Sequence, residues 1–272
     1  MSGAAPAPGG EAFPPPSAHG SPPALRGIRA AFVFLTRVPV GGFPYSAADW
    51  SWASAHFPVV GFVLGAALGA LDLLLQPLGP LAAAVLVLGV SMMLTGAFHE
   101  DGLADTADAL GGASDRARVL EILKDSRIGA FGAAALTFSL LARAALLARL
   151  GALAPLSLPL AMCAARTAPV WLLVAMPYAS APATAKSGPV TRTGICQATV
   201  ATAWLAGACA LALRCGVASP VRLSALVAAL AITAALTGYR YARRLGGVTG
   251  DFLGATEQLA EIAALAALAW DR

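Results

Sequence analysis

Phe98 to Gly112 reads Phe98-His99-Glu100-Asp101-Gly102-Leu103-Ala104-Asp105-Thr106-Ala107-Asp108-Ala109-Leu110-Gly111-Gly112, with four carboxylates and a histidine in an otherwise apolar neighbourhood. On a helix, Asp101, Asp105 and Asp108 stand at i, i+4 and i+7 and share one face. Like charges on one face repel, so the pattern calls for a cation opposite them. All-oxygen donors suit Mg²⁺ or Mn²⁺. A solvated acidic loop between membrane helices is the plainer alternative, but it gives no reason for the charges to keep to one face. Gly102 permits a turn or close backbone approach, and Gly111-Gly112 ends the helix. His99 is open to three readings: a general base, a ligand, or a polar residue capping a span.

Two further clusters could meet phosphate. Lys124-Asp125-Ser126-Arg127-Ile128-Gly129-Ala130-Phe131-Gly132 offers two cations of phosphate-binding type. Gly129 and Gly132 would let backbone N–H groups approach an anion at a helix start. The alternative is a plain basic anchor beside a membrane, against which Asp125 and Ser126 argue. Ser114 or Asp115 is a natural N-cap for a surface helix over 115–125. In Leu245-Gly246-Gly247-Val248-Thr249-Gly250-Asp251-Phe252-Leu253-Gly254-Ala255-Thr256-Glu257, a glycine-rich turn delivers Asp251 to a helix start, and Glu257 and Glu261 follow inside an apolar run. Intramembrane carboxylates need partners, and Arg166 or a shared cation is the expected match. Pro169 breaks the helix near Arg166 and frees carbonyls. Arg143 is read as a residue able to snorkel. No Walker lysine, serine-elbow or zinc spacing occurs. A metal-assisted phosphoryl-type transfer fits these clusters best.

The elements that must position them are membrane helices. The chain is 58% hydrophobic and 12% charged, where a soluble domain carries about 25% charged residues. Its mean hydropathy is +0.74. The fold class expected is all-α: a polytopic integral membrane protein with about seven transmembrane helices and short interfacial helices. Spans of about 20 apolar residues fall at 57–76, 81–98, 129–149, 156–176, 197–215, 222–239 and 253–270. Gly61, Gly65 and Gly69 form a small-residue stripe for close helix packing, and Asp72 is expected at the interface. Residues 26–40 read as an interfacial helix ended by Pro39. Tyr45, Trp50 and Trp52 lie in a loop at headgroup level. Residues 1–25, rich in Pro, Gly, Ala and Ser, read as a disordered leader, and 26–272 as a single membrane-embedded catalytic domain. With the N-terminus in the cytoplasm, Arg26, Arg29, Arg37, Arg116, Arg118, Lys124, Arg127, Lys186, Arg192, Arg240, Arg243 and Arg244 fall inside, as the positive-inside rule requires. Arg149, Arg214, Arg222 and Arg272 fall outside. The scattered basic residues exclude a nucleic-acid footprint. Cys163, Cys196, Cys209 and Cys215 read as packing residues without disulfides.

Three motifs carry a family resemblance. His99-Glu100-Asp101-Gly102-Leu103-Ala104-Asp105-Thr106-Ala107-Asp108, Lys124-Asp125-Ser126-Arg127-Ile128-Gly129 and Gly246-Gly247-Val248-Thr249-Gly250-Asp251-Phe252-Leu253-Gly254-Ala255 resemble, in order, the signatures of the cobalamin synthase family. Phe34-Leu35-Thr36-Arg37-Val38-Pro39 is similar to that family's opening. The resemblance covers about residues 27–260. Ala109-Leu110 departs from the Asp-Gly-like pair expected there, with the aspartate triplet intact. The resemblance implies adenosylcobinamide-GDP ribazoletransferase activity: adenosylcobinamide-GDP is joined to α-ribazole or its 5′-phosphate, and GMP is released. It also implies Mg²⁺ and a place in the cytoplasmic (inner) membrane.

These roles then follow as expectations. Glu100, Asp101, Asp105, Asp108 and Asp251 hold metal. His99, Lys124 and Arg127 serve catalysis, the two cations on phosphate. Asp125, Ser126, Arg166, Thr249, Gly250 and Glu257 bind substrate. The partners are the two substrates and the lipid bilayer, with no nucleic acid; the oligomeric state, a homo-oligomer included, is left open. A CDP-alcohol-type phosphotransferase is a rival, but its first motif aspartate is Phe98 here. A cation-coupled transporter is another, but no inverted repeat is visible.

Overall fold

The computed structural model describes residues 21–42, 44–113, 115–179, 190 and 192–270. The expected leader up to residue 20, the Ser114 cap, Lys186 and Arg272 lie outside the described residues. Among the described residues, twelve α-helices follow one another: α1 Pro23–Leu35, α2 Ala47–Ala53, α3 Phe57–Leu75, α4 Pro80–Thr95, α5 Phe98–Gly112, α6 Arg116–Ile122, α7 Ala130–Leu150, α8 Ala154–Ala165, α9 Thr167–Ala175, α10 Ile195–Arg214, α11 Pro220–Arg244 and α12 Gly250–Ala269. Among the described residues the sole β pairing is an isolated bridge between Tyr178 and Val248.

Among the described residues, five helical runs are long and apolar enough to cross a membrane, or six if α4 and α5 count as one bent span. One run, Ala130–Ala175, has 46 residues and would measure about 70 Å if straight, over twice a hydrocarbon core. It breaks at Gly151, where φ is 53°, and so accommodates the two spans expected at 129–149 and 156–176. The amino-terminal elements differ from expectation. The first helix already begins at Pro23, inside the segment read as leader, and ends at Leu35 rather than at Pro39. Its Arg26 pairs with Asp49 at 2.8 Å. The aromatic loop is partly helical, because Ser46 and Asp49 close a capping box on α2. Tyr45 is buried in the protein. Asp72 is likewise buried, accepting a hydrogen bond from Gln76 at 2.6 Å, rather than lying at the interface.

The glycine stripe has a partner. A Cβ on Gly61 would lie 2.2 Å from the Met162 carbonyl oxygen, one on Gly65 2.6 Å from that of Leu158, and one on Gly69 2.2 Å from that of Pro155. Helix α3 thus packs backbone to backbone on α8, which small residues alone permit. Helix α12 is the central post: it packs on α5, α7, α8, α9 and α11.

The acidic helix is not the extension of the second span. Helices α4 and α5 meet at 92°. Gly96 (φ 69°) and Ala97 (φ 55°) are both left-handed, and for alanine that conformation costs about 1–2 kcal/mol. Arg37 covers the bend. Its backbone N–H donates to the Leu94 carbonyl at 2.7 Å, and its guanidinium fills the space a Cβ on Gly96 would need. A cation there also complements the carboxyl end of α4.

Candidate functional site

Helix α5 is held along its length. Near its start, Gly102 meets α12: a Cβ there would lie 2.9 Å from the Asp251 carbonyl oxygen, and Gly254 abuts His99 and Gly102 in turn. Towards its end, Asp108 accepts the backbone N–H groups of Gly129 (2.7 Å) and Gly132 (2.8 Å). The anion at the start of α7 is therefore this carboxylate, in the position where phosphate was expected. Cβ atoms on Gly129 and Gly132 would stand 2.5 and 2.3 Å from Asp108 oxygens, so the glycines admit the carboxylate. Of the three aspartates on the shared face, Asp101 is exposed and Asp105 and Asp108 are half-buried.

Beneath this face lies a buried ionic network. Glu100 turns inward and accepts from Arg143 (3.0 Å) and Gln258 (3.3 Å). Arg143 also lies 3.5 Å from Glu261. Gln258 donates to Glu257 at 3.1 Å and accepts from Ser139 at 3.1 Å. Arg166 pairs with Glu257 at 2.8 Å, and His99 Nδ1 stands 3.7 Å from the same carboxylate. Arg166 sits at the break between α8 and α9 and donates to the Met162 carbonyl. The expected Arg166–Glu257 match is present. The snorkelling reading of Arg143 is corrected: its side chain is 1% exposed, because two carboxylates inside the bundle hold it. Gln258 and Ser139 were missed. Ser139 and Arg143 are i, i+4 on α7, as Glu257 and Glu261 are on α12, and that shared polar stripe was the available signal.

The glycine-rich turn enters α12 with Thr249 as N-cap, its hydroxyl accepting from the Phe252 N–H. Tyr241 donates to the Phe252 carbonyl and stacks on its ring, with centroids 4.1 Å apart. Between this start and the neighbouring helices lies a small cavity of about 30 Å³. His99, Arg166, Gly250 and Glu257 border it, and Phe34, Phe57 and Phe98 form an aromatic wall.

The basic loop behaves differently. Lys124, Ser126 and Arg127 are exposed. Arg127 grips Asp125 at 2.6 Å, and these hydrogen bonds hold the Asp125 carboxyl down at about 2. Asp115 caps α6 by accepting from the Arg118 N–H.

Among the described residues no three His, Cys, Asp or Glu side chains converge on one point. Mg²⁺, however, is commonly held by one or two carboxylates together with waters and substrate phosphates. Asp101, Asp105 and Asp251 fit that use. They are hard oxygen donors on two helices in contact at Gly102. Glu100 and Asp108 fit it less well, since the first faces Arg143 and the second holds two N–H groups.

Comparison with known proteins identifies the family. The family model described as cobalamin-5-phosphate synthase matches residues 27–269. A protein of Polaromonas naphthalenivorans, named adenosylcobinamide-GDP ribazoletransferase, is 40% identical over 88% of this chain and 95% of its own. Proteins of the same name from Leptothrix cholodnii (40%, covering 86% and 91%) and Shewanella pealeana (39%, covering 85% and 90%) are also similar. No solved structure matches. With nearly the whole helical bundle and all three motifs inside the match, the chain belongs to the cobalamin-5-phosphate synthase family.

Proposed function

We propose that this chain is an adenosylcobinamide-GDP ribazoletransferase of the inner membrane, with its site facing the cytoplasm. A ribose hydroxyl of α-ribazole, or of its 5′-phosphate, attacks the cobinamide-linked phosphorus of adenosylcobinamide-GDP. The new P–O bond forms as the P–O bond to GMP breaks, and GMP carries away the bonding pair. The observation that carries the reading is the acidic face of α5, packed at Gly102 against the start of α12 and Asp251, in a chain about 40% identical to proteins of that name.

Asp101, Asp105 and Asp251 would hold Mg²⁺ against the diphosphate. Bound there, the ion supplies charge neutralisation and lowers the pKa of the attacking hydroxyl. Lys124 and Arg127 reach phosphate from the adjoining loop, with Asp125 orienting the guanidinium. His99 borders the cavity and takes the hydroxyl proton, while Glu257 behind it fixes the ring. The run of basic residues on the loops beside the site supports the cytoplasmic orientation.

The test is GMP release by purified protein given adenosylcobinamide-GDP, α-ribazole and Mg²⁺. Wild type should turn over, and correctly inserted Asp105→Asn should lose at least one decade of turnover, the scale of a lost charge contact. No GMP from wild type would sink the assignment, and full turnover by Asp105→Asn would remove Asp105 from the metal site.

A further inference from the structure

Away from its acidic face, α5 borders a second and larger space. A groove of about 410 Å³ runs between α5, α11 and α12, within the small-molecule range of about 300–1,000 Å³. Helix α5 contributes Leu103, Thr106 and Leu110, α11 Leu236 and Arg240, and α12 Leu259. At 100° per residue, Leu103 and Leu110 project roughly 180–200° from Asp101, so the groove lies on the far side of α5 from the three aspartates. Leu236 and Leu259 are exposed on helices long and apolar enough to span a membrane, and the groove therefore opens towards lipid.

Its chemistry is ordered by depth. Arg240 stands in the closing turns of α11, which ends at Arg244. Leu236 follows about 6 Å deeper, and Leu259 lies about 14 Å inside the start of α12. The neighbouring cations are engaged, since Arg243 donates to the Tyr239 hydroxyl at 2.9 Å and Arg244 to the Ala113 carbonyl. Arg240 is exposed, and among the described residues no carboxylate pairs with it. Thr106 is 5% exposed, and its hydroxyl has no hydrogen-bond partner. Other helical threonines donate to the carbonyl four residues back, as Thr95 does to Ser91 (3.0 Å), Thr137 to Ala133 (2.8 Å) and Thr233 to Ala229 (2.8 Å). A buried hydroxyl left unmatched beside a groove is costly and points to a ligand.

We propose that this groove holds one anionic phospholipid. An acyl chain lies along Leu103, Leu236 and Leu259, the phosphate meets Arg240, and Thr106 donates to a lipid ester carbonyl. Such a lipid is charged at one end and apolar along the rest, in the same order as the groove. Arginine suits a phosphate oxygen pair, and a cation at the bilayer surface attracts anionic headgroups. Either substrate of the transferase would set polar groups against leucine here, across α5 from Asp101 and Asp105. A lipid in this place backs α5 against α11 and supports the acidic helix from behind.

The experiment uses the full chain in detergent and reads binding alone, independently of turnover. Native mass spectrometry follows retention of dioleoylphosphatidylglycerol or dioleoylphosphatidylcholine as the lipid fraction of the micelle rises. Wild type should retain one phosphatidylglycerol, half-saturated at a lower fraction than phosphatidylcholine. Arg240→Ala should raise that fraction about fivefold, the scale of one surface cation on an anionic lipid. Thr106→Val, which keeps the shape, should raise it about fivefold as well, the scale of one hydrogen bond. Leu236→Trp fills the groove from its exposed side and should abolish retention. Arg243→Ala removes the same charge outside the groove and should change nothing. Inorganic phosphate should not displace the lipid. Equal retention of the two lipids, unchanged retention in Leu236→Trp, or an Arg243→Ala effect as large as that of Arg240→Ala would overturn the site. Displacement by inorganic phosphate would overturn the lipid in favour of a free anion, and displacement by α-ribazole or adenosylcobinamide-GDP in favour of a substrate.

Discussion

Asp108 separates anchoring from metal binding most cleanly. Its carboxylate accepts two backbone N–H groups, at 2.7 and 2.8 Å, at the start of α7. A hydrogen bond to a charged group is worth about 1.5–3 kcal/mol, and a charge at a helix amino end about 0.3–1 kcal/mol. Since Asp108 is half-buried, the lower ends apply, and Asp108→Ala should cost about 3 kcal/mol. Asp108→Asn should lose nearly as much, because a carboxamide offers one acceptor and turns an N–H donor on the second backbone N–H. Gly132→Ala tests the same contact from the other side: its Cβ would lie 2.3 Å from Asp108 Oδ2 and 2.8 Å from the Ala104 carbonyl oxygen. A backbone oxygen inside a helix cannot swing aside. The double variant Asp108→Ala/Gly132→Ala should therefore be no less stable than the worse single, as expected for two members of one contact. Thermal unfolding in detergent, followed by circular dichroism, measures all three, and the Mg²⁺ half-saturation of GMP release is measured beside it. An unchanged midpoint in Asp108→Ala, with a raised Mg²⁺ requirement, would refute the anchor and return Asp108 to the metal.

Arg143→Met should destabilise the bundle by about 3–5 kcal/mol, because it strands Glu100 and Glu261 in the interior; adding Glu100→Gln and Glu261→Gln should restore most of the thermal midpoint, whereas a harmless single variant would mean that Arg143 faces lipid. The Asp125–Arg127 pair sets a pH expectation. Asp125 falls from 3.8 to about 2 in the folded chain, so the pair is formed above the unfolded value and is lost only as pH drops through about 2. The ratio of kcat/KM between wild type and Arg127→Ala should thus stay constant from about pH 5 to about pH 9. A ratio that drifts in that window would show another group titrating against Arg127.

The parts of the fold that rest on one-dimensional patterns were legible: the apolar spans, the stripe Gly61-Gly65-Gly69, and the common face of Asp101, Asp105 and Asp108. What stayed hidden depends on which element stands opposite. Hydropathy places Arg143 inside a span but does not give the rotation of α7, and the rotation decides between lipid and Glu100. Gly129 and Gly132 announced an anion near a helix start. That the anion is Asp108, from a helix more than a turn of loop away, needed the 92° bend at Gly96 and Ala97. Ala97 was invisible for a different reason, since nothing in an alanine signals a left-handed backbone. The Arg166–Glu257 match was within reach because intramembrane charges rarely go unpaired.

The buried network also bears on how the chain is made. An arginine or carboxylate at mid-span costs about 2.5–3.5 kcal/mol on insertion, and here such residues are spread over α5, α7, the α8–α9 junction and α12. During synthesis Arg143 finds Glu100 already in place, because α5 emerges first. Arg166 has no such luck: its carboxylate, Glu257, arrives only with the last helix. Until then the growing protein carries an uncompensated guanidinium that must wait near water or beside the insertion machinery. The carboxyl-terminal helix thus completes the ionic network, and a chain that stops before Gly250 leaves Arg166 without its carboxylate, however complete its acidic motif.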